Sequence, residues 1–302
     1  MKGVSAATLT AVVVAYDSAH ALPDCLGALG REGIPTVVID NASGDGSAEL
    51  AQQLGARVIR NDVNEGYGRA NNRGVAAAET PLVLILNPDV VLDEGAAAAL
   101  IAAAERYRDA GVLAPRLVEA DGRLFFQPRS LLAPYLHNAA GVERLPEGDC
   151  CAPFLSGAAL LVRRELFLQL GGFDEKIFLF YEDDDLCRRM ADAGHALVHV
   201  HAAVARHGRG RSSAPAPGRI FRARWHQAWS RVYVSRKYGL TSDAARTLAK
   251  NLVKLLGAAL VFDRRRMARY GGSTAGTWAA LRGVDALRYQ GILHGAPIKA
   301  TD

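Results

Sequence analysis

The stretch "LTAVVVAYD", residues 9–17, runs through apolar, largely β-branched positions without alternation and closes on a tyrosine and an aspartate. A strand with one wet face alternates apolar and polar residues. An unbroken run of this length instead fits a strand covered on both faces, as parallel strands are. Three similar runs follow: "PTVVIDN" (35–41), "ARVIRND" (56–62) and "PLVLILNPDV" (81–90). Between them lie segments of helical length at 20–32, 47–55, 68–79 and 93–111, the last expected to close on Gly111. This β-α-β-α alternation predicts an open α/β sheet with helices on both faces, whose ligand binds at the carboxyl ends of the strands.

Polar residues gather at those ends. The first run ends in Tyr16-Asp17, the second in Asp40-Asn41-Ala42-Ser43, the third leads to Asn64-Glu65-Gly66, and the fourth closes on Asn87-Pro88-Asp89. Each alone is ordinary turn chemistry; four on one sheet edge mark a binding edge. "IDNASGDGS" (39–47) resembles a phosphate loop, but it matches neither the dinucleotide fingerprint G-x-G-x-x-G nor a P-loop lysine motif. A nicotinamide enzyme or an NTPase is therefore poorly supported.

With 302 residues, half of them hydrophobic, the chain can bury a sizeable core. Charge is segregated: residues 1–205 hold 17 Lys/Arg against 27 Asp/Glu, and residues 206–302 hold 19 against 4. The last third is thus a basic segment suited to an anionic partner. Cys25, Cys150, Cys151 and Cys187 have no metal-site spacing and read as reduced thiols of a cytosolic protein. The opening "MKGVSAATLTAVVVAYD" mimics a signal peptide but is better explained by the buried first strand. No run reaches the roughly 18 apolar residues of a membrane span, and "LVKLLGAALVF" (252–262) is broken by Lys254.

After residue 112 the alternation loosens, and 112–160 reads as an irregular, partly β segment. "LSGAALLVRRELFLQLGGFDE" (155–175) then supplies a strand and a helix leading to "FLFYEDDDLCRRMADAG" (178–194), where four acids stand in a row. On a helix, consecutive residues point about 100° apart, so the four cannot share one ligand. Asp184 with Arg188, and Asp185 with Arg189, are spaced to pair along the exposed side, with Leu186 and Met190 on the buried side. Helix capping explains Asp184 and Asp185. Glu182 and Asp183, at the helix mouth beside an aromatic wall, are placed for one carboxylate to have a raised pKa, as a general base requires.

In order, "AVVVAYD" (11–17), "VVIDNASGDGS" (37–47), "NEGYGRANNRG" (64–74), "LILNPDV" (84–90), "SGAALLVRRELFLQLGGFDEKIFLFYEDDDLCRRMADAGH" (156–195) and "ARHGRGRS" (205–212) resemble the motifs of inverting family 2 glycosyltransferases of the GT-A fold, most closely the bacterial rhamnosyltransferase branch. The resemblance spans about residues 8–213 and implies a Rossmann-like nucleotide-binding sheet. It implies that Ala15, Tyr16, Asp40 and Asn41 hold the nucleobase and ribose, and that Arg69 and Asn72 contact the nucleotide from the next helix. "NPDV" stands in the place of the metal-binding DXD motif, with Asn87 for the first Asp, so Asp89 is left as the acidic ligand of Mg²⁺ or Mn²⁺ and His207 completes the site. The implied donor is a dTDP- or UDP-sugar, the acceptor a glycan or polyprenyl-linked saccharide, and the process cell-surface polysaccharide synthesis. In the implied displacement Asp183 is the base, Glu182 positions the acceptor, and Asp184 and Asp185 cap and brace the helix.

The same resemblance divides the chain into a catalytic domain, 1–213, and a basic helical region, 214–302. Within the first, 1–111 is the nucleotide-binding half and 112–213 the acceptor and catalytic half. Between 219 and 289 arginines interleave with Trp, Tyr, Phe and Leu at helical spacing, which fits either an anionic membrane surface or a helical cap. Membrane binding would place the protein on the inner face of the cell membrane, with Trp225, Trp229, Leu255 and Leu256 inserted shallowly. A homo-oligomer is left open. Two rival readings are weaker. A nucleotidyltransferase usually carries a basic loop after its first strand, and "AYDSAHAL" (15–22) has neither Arg nor Lys. A nucleic-acid-binding protein using the basic tail leaves the strand-end acids unexplained, since carboxylates repel a phosphate backbone.

Overall fold

The computed structural model describes residues 8–126, 131–132, 145–208, 212–213, 216–241 and 243–289. The chain divides into two compact units, one from Met1–Asn64, Arg69–Asp174 and Asp183–Ala214, the other from Glu65–Gly68, Glu175–Glu182 and Pro215–Asp302. The second unit is therefore not the basic tail alone.

The first unit is built on one sheet. β1 (Leu9–Ala15), β2 (Thr36–Asp40), β3 (Arg57–Arg60) and β4 (Leu82–Leu86) alternate with α1 (Leu22–Arg31), α2 (Ser47–Gln53) and α3 (Tyr67–Ala77). Next come β5 (Val90–Leu92), α4 (Ala96–Arg106), β6 (Ala110–Glu119), β7 (Leu124–Phe125), β8 (Cys150–Cys151), β9 (Ala159–Arg163), α5 (Arg164–Gln169), α6 (Glu182–Asp192) and β10 (Ala196–His207). The strand order is β3-β2-β1-β4-β9-β6-β10-β5, with β7 on β6 and β8 on β10. β1 to β4 pair in parallel, as the alternation predicts, and β9 then enters antiparallel between β4 and β6.

Every residue of β1 and of β4 is buried, the consequence of helices on both faces. α1 buries Leu22, Cys25, Leu26 and Leu29, one face at helical spacing, behind a proline in its first turn. β3, an edge strand, is only partly covered. All four cysteines are free thiols.

Three features differ from the sequence reading. "PLVLILNPDV" is two strands, because the chain turns at Asn87–Asp89 and β5 leaves to pair antiparallel with β10. Gly111 does not close a helix: α4 ends at Arg106 and Gly111 lies inside β6, where a Cβ would stand 2.9 Å from His195 Cβ and Met190 Sδ. The segment 112–160 begins as the well-buried core strand β6, whereas 127–130 and 133–144 lie outside the described residues.

The second unit contains α7 (Arg219–Lys237), α8 (Ala244–Leu260) and α9 (Arg264–Leu281). α7 and α9 approach so closely that a Cβ on Gly272 or Gly276 would overlap the backbone carbonyl of Phe221 or Trp225. Trp225 and Trp229 are buried in this core with Val232, Ala279 and Ala280, and Trp229 Nε1 donates to Val284 O at 2.7 Å. The two tryptophans are therefore core residues, unavailable for the membrane insertion expected of them.

All three tryptophans of the chain, Trp225, Trp229 and Trp278, belong to the second unit, so their fluorescence reports its unfolding. In urea, Gly276→Ala is expected to destabilise this unit by about 1–3 kcal/mol through overpacking. Gly257→Ala, in α8 with nothing within 4 Å of its Cβ position, is expected to stabilise it by up to about 1 kcal/mol through helix propensity.

Candidate active site

At the end of β1 the backbone of Asp17 turns left-handed (φ 49), and beyond β2 Ala42 does the same (φ 62). Such conformations are disfavoured by a Cβ and persist where neighbours impose them. Here Asp17 N donates to Ser43 Oγ at 3.0 Å, Gly44 N to Asp17 Oδ1 at 2.8 Å, and Ser18 N to Ser47 Oγ at 2.8 Å. These bonds lace the glycine-rich loop to the end of β1.

Asp40 is buried at the end of β2. Its Oδ2 accepts from Ser43 N at 3.3 Å, and its Oδ1 is buried with no hydrogen-bond partner among the described residues. A buried acceptor without a donor is costly, so this oxygen is a place for a ligand N–H. Ala15 is buried and Tyr16 half-buried beside it. Asn41 braces the scaffold: its Nδ2 donates to Asn64 Oδ1 at 2.9 Å and its Oδ1 accepts from Asn61 Nδ2 at 3.0 Å. It joins the ends of β2 and β3, a positioning role. Arg69 is half-buried on α3.

At the end of β4, Asn87 N donates to Ala158 O at 2.9 Å. β5 then pairs with β10 so that Val90 stands opposite His207, which carries Asp89 to the same place. Asp89 is buried, with its Oδ1 3.6 Å from His207 Nε2 and 2.7 Å from the donating Ser212 Oγ. Ser18 Oγ in turn donates to Ser212 O at 2.5 Å. Among the described residues no group of three or more His, Cys, Asp or Glu converges to hold a metal. One carboxylate and one imidazole fit a divalent cation that takes its remaining ligands from a diphosphate and water.

The acidic row opens α6. Asp183 Oδ2 accepts from Gly157 N at 2.9 Å and its Oδ1 from Asp184 N at 3.0 Å. Burial nevertheless pushes the Asp183 carboxyl above the usual aspartate range, outweighing these two bonds. Gly157 has no room to spare, since a Cβ there would lie 3.3 Å from Asp183 Cβ. Glu182 is buried at the head of the helix. Immediately before it, Phe180 and Tyr181 both adopt φ 69, a strained pair of left-handed aromatic residues.

Asp184 and Asp185 are buried, in contrast to the expected exposed side. Asp184 Oδ1 accepts from Leu131 N at 3.0 Å. Asp185 pairs with Arg189 at 2.8 Å, and Arg189 also donates to Leu170 O at 2.8 Å and Gly172 O at 2.5 Å. The pair turns inward because those turn carbonyls need a donor. Arg188 pairs with Asp192 at 2.7 Å. Leu186 and Met190 are fully buried, as their spacing predicts. Asn72 clamps the same turn: Nδ2 donates to Phe173 O at 2.9 Å and Oδ1 accepts from Phe173 N at 2.7 Å. Its amide thus ties α3 to the Gly172–Phe173 turn from both sides.

The model of the family described as Glycosyl transferase family 2 matches residues 10–171. The chain belongs to this family. The Mycobacterium tuberculosis N-acetylglucosaminyl-diphospho-decaprenol L-rhamnosyltransferase is 33% identical over 238 residues, 66% of this chain and 78% of that protein. Escherichia coli rhamnosyltransferase WbbL is 28% identical over 189 residues, 57% of this chain and 71% of that one. Among solved structures, S. aureus TarS 1–349 matches with a TM-score of 0.54 at 13% identity, covering 91% of this chain and 92% of that one. The mannosyltransferase PcManGT from Pyrobaculum calidifontis, in complex with GDP-Man and Mn²⁺, matches with a TM-score of 0.52 at 18% identity, covering 90% and 86%. At such identities the structural likeness carries the fold, which is that of GT-A glycosyltransferases.

In this family 2 glycosyltransferase the sequence reading missed Gly157 and Ser212. A glycine leading into a strand is a signal of close backbone approach, and "SGAALLV" carried it. Ser212 lies 123 positions from Asp89, and nothing local marks it. Arg189→Met leaves the fully buried Asp185 carboxylate without this counter-charge. It is expected to lower the glycosyltransferase's unfolding free energy by about 3 kcal/mol in a urea titration followed by circular dichroism.

Proposed function

We propose that this glycosyltransferase moves a sugar, rhamnose first among candidates, from a dTDP- or UDP-sugar to a hydroxyl of a polyprenyl-linked saccharide, with inversion at the anomeric carbon. The observation that carries the reading is the Asp183 carboxylate, held by Gly157 N and pushed towards basicity by burial, one residue from the Ala158–Asn87 bond at the end of β4. The rhamnosyltransferase names of the two relatives support the sugar, and the decaprenol in one of those names supports the acceptor class. The catalytic work is assigned to residues 1–213, with 1–111 receiving the nucleotide and 112–213 the acceptor, and 214–302 forms a basic helical region.

Asp40 Oδ1 accepts the ring N3–H of uracil or thymine, giving that oxygen the donor it lacks. Ala15 and Tyr16 line the base, and Arg69 offers positive charge to the diphosphate. Asp89 and His207 would hold Mg²⁺ or Mn²⁺, with Asn87 at the entrance; the bound cation supplies neutralisation of the departing diphosphate. Asp183 takes the proton of the acceptor hydroxyl while Glu182 orients the acceptor. The freed oxygen electron pair forms the new bond to the anomeric carbon. The bond to the diphosphate oxygen breaks on the opposite face, and that oxygen keeps the pair.

Asp183→Asn is expected to bind donor nearly as wild type and to lose roughly 10²- to 10⁴-fold in transfer. Transfer within about fivefold of wild type would remove Asp183 as the base. Because burial raises its pKa above the ordinary 3.8, protonation disables the base at a higher pH than in free aspartate. The acid limb of kcat/KM is therefore expected above that value, with activity rising as pH rises through it.

Asp89→Ala is expected to abolish the Mn²⁺-dependent part of nucleotide-sugar binding in calorimetry, and His207→Ala to weaken it less. Unchanged donor affinity of Asp89→Ala at saturating metal would reduce "NPDV" to a turn.

A further inference from the structure

α8 and the turn that follows it present an apolar ridge to solvent. Val253 is 69% exposed, Leu256 65%, Leu260 80%, Val261 66% and Phe262 86%. At 100° per residue Leu252, Val253, Leu256 and Leu260 fall within an arc of about 100°, on the side away from the buried Ala244 and Ala258. The amphipathic stripe of α8 therefore points outward, the reverse of a helix that serves only its own core.

Phe262 sharpens the anomaly. It follows the end of α8 with φ 53, its N–H reaching Ala259 O at 3.1 Å while Asp263 N reaches Ala258 O at 3.0 Å. Helices commonly end in this geometry on glycine, because a Cβ is disfavoured there. A phenylalanine in glycine's place, 86% exposed, bears that strain with little packing against the described residues.

Positive charge surrounds the ridge. Arg246 and Lys250, one turn apart and exposed, follow the Val253 edge of the stripe, and Arg264 and Arg265 are exposed just beyond the tip. Between residues 244 and 270 seven Lys/Arg stand against one acid, Asp263. Asp263 caps α9 by accepting from Arg266 N at 2.9 Å and pairs with Arg266 Nε at 3.3 Å, so it leaves the field positive.

We propose that this ridge is a wedge entering the interface of a bilayer that carries anionic headgroups, with Leu260, Val261 and Phe262 among the acyl chains and the lysines and arginines at the phosphates. An apolar tip ringed by cations matches both layers of such a surface. A nucleic acid would use the charge and leave the tip in water. No described helix is long and apolar enough to cross a membrane, so α8 lies in the interface. The wedge rests on the proposed transfer to a lipid-linked acceptor, and it puts membrane contact at the α8–α9 turn in place of Trp225 and Trp229.

The test is co-sedimentation of the full chain with vesicles of phosphatidylcholine alone, or mixed with phosphatidylglycerol, at low and high salt. Wild type is expected to bind the anionic vesicles and to weaken with salt. The double variant Leu260→Asp/Phe262→Asp, changed only at exposed positions, is expected to bind at least roughly tenfold more weakly with an unchanged circular dichroism spectrum. Arg264→Ala/Arg265→Ala is expected to lose roughly 30-fold on anionic vesicles. Wild-type binding that ignores lipid charge, no binding, or full binding by the double apolar variant would overturn the wedge. A wild-type dimer in sedimentation velocity that Phe262→Asp converts to monomer would assign the ridge to a second copy instead. Vesicle binding needs neither donor nor acceptor. Transfer to a soluble acceptor therefore tests the enzymatic reading separately.

Discussion

β9 runs antiparallel to β4 with Leu86 opposite Ala159, and this register places the rest of the catalytic edge. It carries Asn87 N to Ala158 O and leaves Gly157 N facing the Asp183 carboxylate. The loop that turns through Asp89 and the head of α6 are thereby tied to neighbouring residues of the turn that leads into β9. Without the antiparallel insertion, the parallel half of the sheet would lack the turn that holds the Asp183 carboxylate. The small residue is part of the constraint, because a Cβ at Gly157 would press on the group it holds.

The four adjacent acids divide their work by environment. Asp185 is fully buried yet neutralised by Arg189, and the guanidinium commits its other donors to the carbonyls of Leu170 and Gly172. Among the described residues Asp183 accepts only from backbone N–H groups, and burial lifts its carboxyl above the usual aspartate range. Asp184 receives Leu131 N. Asn72 fixes the turn ahead of this row from the other side, through both the N–H and the carbonyl of Phe173. Rigid support of this kind is what a proton-transfer geometry needs.

The second unit distributes its apolar surface differently. Gly272 and Gly276 let α9 reach the backbone of α7, which encloses Trp225 and Trp229 in a compact aromatic core. With these two tryptophans inside, α8 turns Leu252, Leu256 and Leu260 outward, and the left-handed Phe262 that follows joins them. Aromatic residues at helical spacing and arginines between them are common to a core helix and to a membrane-surface helix. Only the direction each side chain faces separates the two.

The unbroken apolar runs at β1, β2 and β4 were legible because strands covered on both faces are apolar almost throughout, and the polar strand ends were legible because turn-type residues gather on one sheet edge. The acidic row, Asp40 and Asp89 stood out as residue types that apolar packing does not call for, and His207 through the resemblance of its motif. Tertiary structure alone decided the rest. Pairing across more than a hundred positions brought Ser212 to Asp89, antiparallel register brought Gly157 to Asp183, and the turn carbonyls drew Arg189 and Asp185 inward. It also committed the amides of Asn41 and Asn72 to the scaffold, put Gly111 in a strand, and exchanged Trp225 and Trp229 for Leu260 and Phe262 on the surface. Local periodicity determines which faces are apolar. Which of two apolar faces is covered depends on long-range packing, and no window of sequence contains it.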